Sequence, residues 1–187
     1  MSWNNSEFGY GWVHIALHWL MAVMIMGLLP LGLWMTSLDY YDPWYKKGPD
    51  LHRAIGVLLA ILLLIRLAWR SLQPSPRALT TSRRERIAAR TAHALLYLIP
   101  LLLVISGYLI STADGRAVDV FGWFAIPATL QGVEGQEDIA GDIHFVLAMV
   151  LIAIVVVHVA AALYHHFKRG DRTLIRMLKP EKRKEQA

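Results

Sequence analysis

Four long apolar runs, separated by polar and charged segments, set the pattern of this chain. A helix that crosses the hydrocarbon core of a bilayer needs about 20 mostly apolar residues. The first run, from about Gly11 to Met35, is interrupted only by His14 and His18. The second runs from about Leu51 to Leu72, with an unbroken core from Ala54 to Ile65. The third runs from about Thr91 to Ser111 and the fourth from about Ile143 to Phe167. The first run has no basic segment ahead of it, is too long for a signal peptide and carries two His, so it reads as a retained span. Apolar alternation at period two, the mark of a membrane barrel, is absent, and without a barrel the backbone in lipid must be helical. The pattern predicts an all-α fold. It is an integral membrane four-helix bundle of up-down-up-down path, one transmembrane domain over residues 1–187, and the interior of such a bundle is a usual place for a cofactor.

Charge orients the spans, because short cytoplasmic loops collect Lys and Arg. The stretch from Arg66 to Arg90 holds seven Arg and one acid, Glu85, and the tail from Lys168 holds eight Lys or Arg against three acids. The stretch from Asp114 to Asp142 holds six acids and one base, Arg116. The loop after the first run is mixed, with Lys46 and Lys47 against Asp39, Asp42 and Asp50. Both termini are therefore expected in the cytoplasm. Composition agrees with a membrane protein: 56% of residues are hydrophobic and 18% charged, against about 25% charged in soluble domains. The net charge of +5 sits in these topological blocks, so it calls for lipid contact and not for nucleic acid. No Cys is present, which excludes a disulfide scaffold, a zinc-thiolate site, an iron–sulfur cluster and a covalently attached c-type haem.

The candidate chemistry lies in eight His: His14, His18, His52, His93, His144, His158, His165 and His166. Ionisable residues inside membrane spans are rare and usually functional. The topology puts His18 and His158 near the cytoplasmic level and His52 and His144 near the outer level. His144 and His158 are 14 residues apart, or about 21 Å along a helix. Fourteen steps of about 100° fall within roughly 40° of whole turns, so both residues face the bundle interior. Two levels, each with two facing imidazoles, suit two haems, for which imidazole is a usual axial ligand. A small residue follows each of the four by one turn: Ala22, Gly56, Ala148 and Ala162. A flat macrocycle needs such clearance.

The other polar positions leave alternatives open. His14, one turn before His18 on the same face, is the competing ligand at that level. His165 and His166 read as a polar helix end at the interface, or His165 as lining a quinone or proton site. His93, at the cytoplasmic start of the third span, can hydrogen-bond a haem or quinone. Arg53, with Lys46 and Lys47, can pair with anionic haem propionates or snorkel to headgroups. Six Trp (Trp12, Trp19, Trp34, Trp44, Trp69 and Trp123) fall at the expected interfaces, as an aromatic belt does.

Taken in order, "HW" at His18–Trp19, "LHRAIG" at Leu51–Gly56, "RLAWR" at Arg66–Arg70, "GYLIS" at Gly107–Ser111 and "IHFVLA…VVHVAAALYHHF" within Ile143–Phe167 resemble the bacterial di-haem cytochrome b561 family over nearly the whole chain. The loop "STADGRAVDVFGWFAIPATL" resembles a subgroup often linked to a periplasmic isoprenoid-binding protein. The resemblance implies the bacterial inner membrane, two haem b, and the ligand pairs His18/His158 and His52/His144. One branch of that family oxidises superoxide on the outer side and reduces ubiquinone. The acidic third loop here would repel an anion.

The expected function is electron transfer between a periplasmic donor or acceptor and a membrane quinone such as ubiquinone. Iron with two His ligands has no free position, which disfavours dioxygen binding. Two rivals remain: an electron-transfer subunit serving a periplasmic partner without a substrate of its own, and a haem-free His-lined metal or proton transporter. The second lacks the intramembrane carboxylates that such paths commonly use.

Overall fold

The computed structural model describes residues 3–130 and 132–180. Four long helices, α1 (Trp12–Met35), α2 (Lys47–Leu72), α3 (Arg83–Thr112) and α4 (Gln136–Phe167), account for most of the chain. Each is long and apolar enough to cross a membrane, and the protein is an all-α membrane protein. A short hairpin, β1 (Val118–Val120) and β2 (Phe124–Ile126), stands between α3 and α4, and a 3-10 turn covers Ile175–Met177. Val146, Val150, Val156, Val157 and Val159 of α4 are exposed on the isolated chain. In a bilayer such side chains meet acyl chains.

Three helices begin ahead of their apolar runs: α2 at Lys47, α3 at Arg83 and α4 at Gln136. Hydrophobicity marks the stretch that crosses hydrocarbon, but backbone hydrogen bonding continues into the polar boundary. The start of α3 is a capping arrangement. Ser82 Oγ accepts from the Glu85 backbone N–H at 3.5 Å, the Ser-x-x-Glu geometry of an N-terminus. The Glu85 carboxylate turns instead to Thr80, which donates at 2.6 Å, and to Arg169, which donates twice at 2.7 and 2.8 Å. At the start of α4, the side chain of buried Gln136 donates to the Leu109 carbonyl at 2.9 Å.

The described residues form two compact units. One takes residues 3–22, 62–96 and 153–180, and the other residues 23–61, 97–130 and 132–152. The chain alternates between them, so each unit holds one portion of all four helices. In the first unit the segments before α1 and after α4 are tied to other parts of that unit. Glu7 pairs with Arg77 at 2.6 Å, and Asn5 N–H donates to Gln73 Oε1 at 3.2 Å. The Trp19 indole N–H donates to the Met177 carbonyl at 2.6 Å, and Arg176 donates to the Arg77 carbonyl at 2.8 Å. His165 Nδ1 and Asp171 Oδ2 are 2.5 Å apart, and Asp171 also accepts from the Thr173 N–H at 2.9 Å.

In the second unit the hairpin is antiparallel, with Val120 opposite Phe124 and Val118 opposite Ile126. Val118 and Val120 are buried and anchor it. Its turn carries two successive residues of positive φ, Phe121 at 55° and Gly122 at 72°. The Trp123 N–H closes it on the Val120 carbonyl at 2.9 Å. Three residues, Phe121 to Trp123, thus separate the paired Val120 and Phe124, and positive φ at the first of them normally favours Asn or Gly. The Tyr108 hydroxyl holds the following loop, bonding Pro127 O, Thr129 Oγ1 and the Thr129 N–H, each at 2.8 Å. Sequence patterning read this stretch only as a loop, because strands of three residues are too short to show a period.

Candidate functional site

The expected His pairs meet, each inside one unit. In the first unit the rings of His18 on α1 and His158 on α4 have centroids 6.3 Å apart, at 64° between planes. In the second, His52 on α2 and His144 on α4 have centroids 6.2 Å apart, at 70°. An imidazole nitrogen sits about 2.0 Å from a bound metal, which puts its ring centre just over 3 Å from that metal. Two imidazoles on opposite sides of one ion are then about 6.3 Å apart, centre to centre. Both pairs have the spacing that axial ligation of a haem iron requires, so the residues fit the group. Among the described residues no three His, Asp or Glu side chains gather to hold a bare metal ion.

The Nδ1 edges differ. Buried His52 Nδ1 has no hydrogen-bond partner among the described residues. His144 Nδ1 lies 3.0 Å from Ser106 Oγ on α3. His18 Nδ1 lies 3.0 Å from Arg66 Nη2 on α2, and the same guanidinium is 3.7 Å from Met21 Sδ. Two glycines bring bare backbone against the second pair. A Cβ at Gly32 would stand 3.0 Å from His52 Cε1, and one at Gly107 would stand 3.3 Å from His144 Cε1. A Cβ at Gly56 would meet nothing within 4 Å. The residues that press on the rings are thus on neighbouring helices, beyond the reach of spacing along one helix.

Of the remaining candidates, His93 joins the first pair, its ring 5.7 Å from that of His158 at 70°. His14 is 6% exposed and stacks on Tyr10 with centroids 4.3 Å apart and planes at 13°. His18, not His14, is the α1 imidazole set against His158. His165 is engaged by Asp171. Burial opposes ionisation of Asp171, but hydrogen bonds from Thr173 and His165 outweigh it and hold the carboxyl down at about 2. His166 Nδ1 is buried without a partner among the described residues. Arg53 pairs with Asp50. Together with Lys47, Arg116, Trp44 and Phe121 it lines an open cleft of about 590 Å³ in the second unit. Arg116 pairs there with Asp114 at 2.5 Å, and Lys46 is not among the lining residues.

Sequence reasoning missed Arg66, Ser106, Gly32 and Gly107. Arg66 was grouped with the basic loop, yet it lies well inside α2. An arginine bounded by Leu64, Ile65, Leu67 and Ala68 is the signal that could have separated it from topology.

The family described as prokaryotic cytochrome b561 matches residues 9–180. The chain is 49% identical to cytochrome b561 homolog 2 of Escherichia coli K12 over 179 residues, 95% of each chain. It is 28% identical to cytochrome b562 of Cereibacter sphaeroides, covering 94% of this chain and 99% of that one. It is 27% identical to a probable superoxide oxidase of Yersinia pestis, covering 93% and 97%. With apolar spans, facing imidazoles and a full-length match in hand, the chain belongs to the prokaryotic cytochrome b561 family, multi-pass membrane proteins that bind haem and transfer electrons.

Proposed function

We propose that this protein carries two b-type haems, one between His18 and His158 and one between His52 and His144, and moves electrons between a periplasmic donor or acceptor and membrane quinone. The observation that carries the reading is the pair of imidazole centroid distances, 6.3 and 6.2 Å, each spanning two helices. When bound, each haem would supply a one-electron iron couple, held by two imidazoles, which suits electron exchange and not dioxygen binding. The protein's own residues do the rest: they orient the imidazoles, exclude water and place charge.

The first unit contains the Arg-rich stretch after α2, and the second contains the acidic loop. On the positive-inside rule both termini and the His18/His158 pair face the cytoplasm. His93, beside His158, and His165, held by Asp171, are then placed to border a quinone headgroup on that side. Arg53 and Lys47, on the open cleft beside His52, suit propionate carboxylates. Acidity of the third loop disfavours superoxide as the outer donor, in contrast to what the Yersinia relative's name indicates for that protein.

The test is a redox difference spectrum of the purified protein with haem quantitation, and two haems per chain are expected. His144→Ala should remove one haem and spare the other, and His158→Ala should do the converse. A colourless protein, or one haem, would sink the reading. A second reading, a subunit that serves a periplasmic isoprenoid-binding or redox partner, draws on the ordered hairpin loop between α3 and α4. Quinone reduction by the isolated chain separates the two.

A further inference from the structure

Ser106 is 4% exposed and sits one residue before Gly107 on α3. Its hydroxyl oxygen lies 2.9 Å from the Leu102 carbonyl, 3.1 Å from the Leu103 carbonyl and 3.0 Å from His144 Nδ1. A serine hydroxyl has one hydrogen and two lone pairs. Carbonyls only accept, so that hydrogen is committed to the preceding turn of the helix. With that hydrogen on the helix turn, the oxygen presents a lone pair toward His144 as an acceptor for an Nδ1 proton. The proton therefore sits on Nδ1, and the lone pair is presented at Nε2. Gly107 adds contact to the same edge, since its bare Cα lets His144 Cε1 and Nδ1 approach to within 3.3 and 3.5 Å of where a Cβ would stand.

We infer that Ser106 is a positioning residue for His144: it fixes the tautomer and ring plane that leave Nε2 free for haem iron. The inference rests on the reading of His52 and His144 as an axial pair. The partner is specific to His144. At the other pair, His18 Nδ1 faces a guanidinium, which can only donate, so a proton on that nitrogen requires Arg66 to turn aside; within the same pair as His144, His52 Nδ1 has no partner among the described residues. A ligand whose distal N–H is held by an acceptor is more basic and favours the ferric state.

The experiment is a potentiometric titration of the purified holoprotein, following both haem bands, in wild type, Ser106→Ala, Ser106→Thr and His144→Ala. His144→Ala first identifies which band depends on that residue. If neither band does, the axial reading itself has failed, whatever Ser106 does. If one does, Ser106→Ala should raise the reduced-to-oxidised ratio of that haem alone at fixed poise. The expected rise is severalfold, up to about tenfold, which is 59 mV for a one-electron couple. Ser106→Thr, which keeps the hydroxyl, should restore the wild-type curve. An unchanged titration in Ser106→Ala, or an equal shift of both haems, overturns the inference. Should Ser106→Ala lose both haems, Ser106→Thr decides: recovery supports the role, and loss there too overturns it.

Discussion

The guanidinium of Arg66 and the hydroxyl of Ser106 meet the two imidazole pairs with opposite chemistry. A fixed positive charge beside His18 stabilises the state with the extra electron. At an effective dielectric of about 20, a unit charge roughly 8 Å away is worth about 2 kcal/mol. Arg66→Leu is therefore expected to lower the midpoint potential of the haem proposed between His18 and His158 by on the order of 50–100 mV and to shift the other much less. Redox titration of the variant checks this. The glycines give a steric counterpart. At Gly32 an added methyl would stand 3.0 Å from His52 Cε1, closer than ordinary contact, so that ring must shift. Gly32→Ala should reduce occupancy of the His52/His144 haem by about tenfold or more. Gly56→Ala, whose methyl meets no protein atom within 4 Å, tests in the same assay whether the space there belongs to the macrocycle.

At the scale of elements, the C-terminal strap shows how a helix end is held. α4 ends in His165, His166 and Phe167, and the chain turns back so that Asp171 bonds His165 and Met177 O receives the Trp19 indole. Asp171 is held at about 2, below its ordinary 3.8. A depressed carboxylate contributes stability that is present above pH 3.8 and is lost as pH falls toward 2. Acid titration of detergent-solubilised protein, read by Trp19 emission against a Trp19→Phe control, should show the strap releasing between about pH 4 and 2. Asp171→Asn should lack that acid-dependent step and hold the strap more weakly at neutral pH. An unchanged transition in Asp171→Asn would refute this assignment.

For the whole molecule, much of the fold was legible before any coordinates, for one physical reason. Hydrocarbon cannot satisfy a backbone, so a run such as Ala54–Ile65 has little choice but helix. The same solvent makes an intramembrane His conspicuous, which is why His18, His52, His144 and His158 could be picked out and why their facing in pairs followed from topology. Helix starts were read late at Leu51, Thr91 and Ile143, because water tolerates a helix but leaves no apolar mark of it. The hairpin strands are too short to show a period, and the roles of Ser106, Gly32 and Arg66 come from lateral contacts between helices, which spacing along one helix does not encode. Trp19 and Trp123 read equally as belt residues. Yet Trp19 bonds the tail, while Trp123 is 74% exposed at the hairpin.

That hairpin turns on Phe121, a bulky side chain held at φ 55° where a glycine would sit at ease. The left-handed region costs a non-glycine residue about 1–2 kcal/mol. Phe121→Gly should therefore raise the melting temperature of the loop, provided its ring contributes less than that where it lines the cleft beside Trp44 and Arg53. A fall on thermal denaturation would mean the aromatic wall outweighs the relaxation. Either way the chain has traded an easy bend for a ring on the wall of a cleft that Lys47, Arg53 and Arg116 also line. A molecule that settles in that cleft meets a ring whose place is fixed by a strained bend.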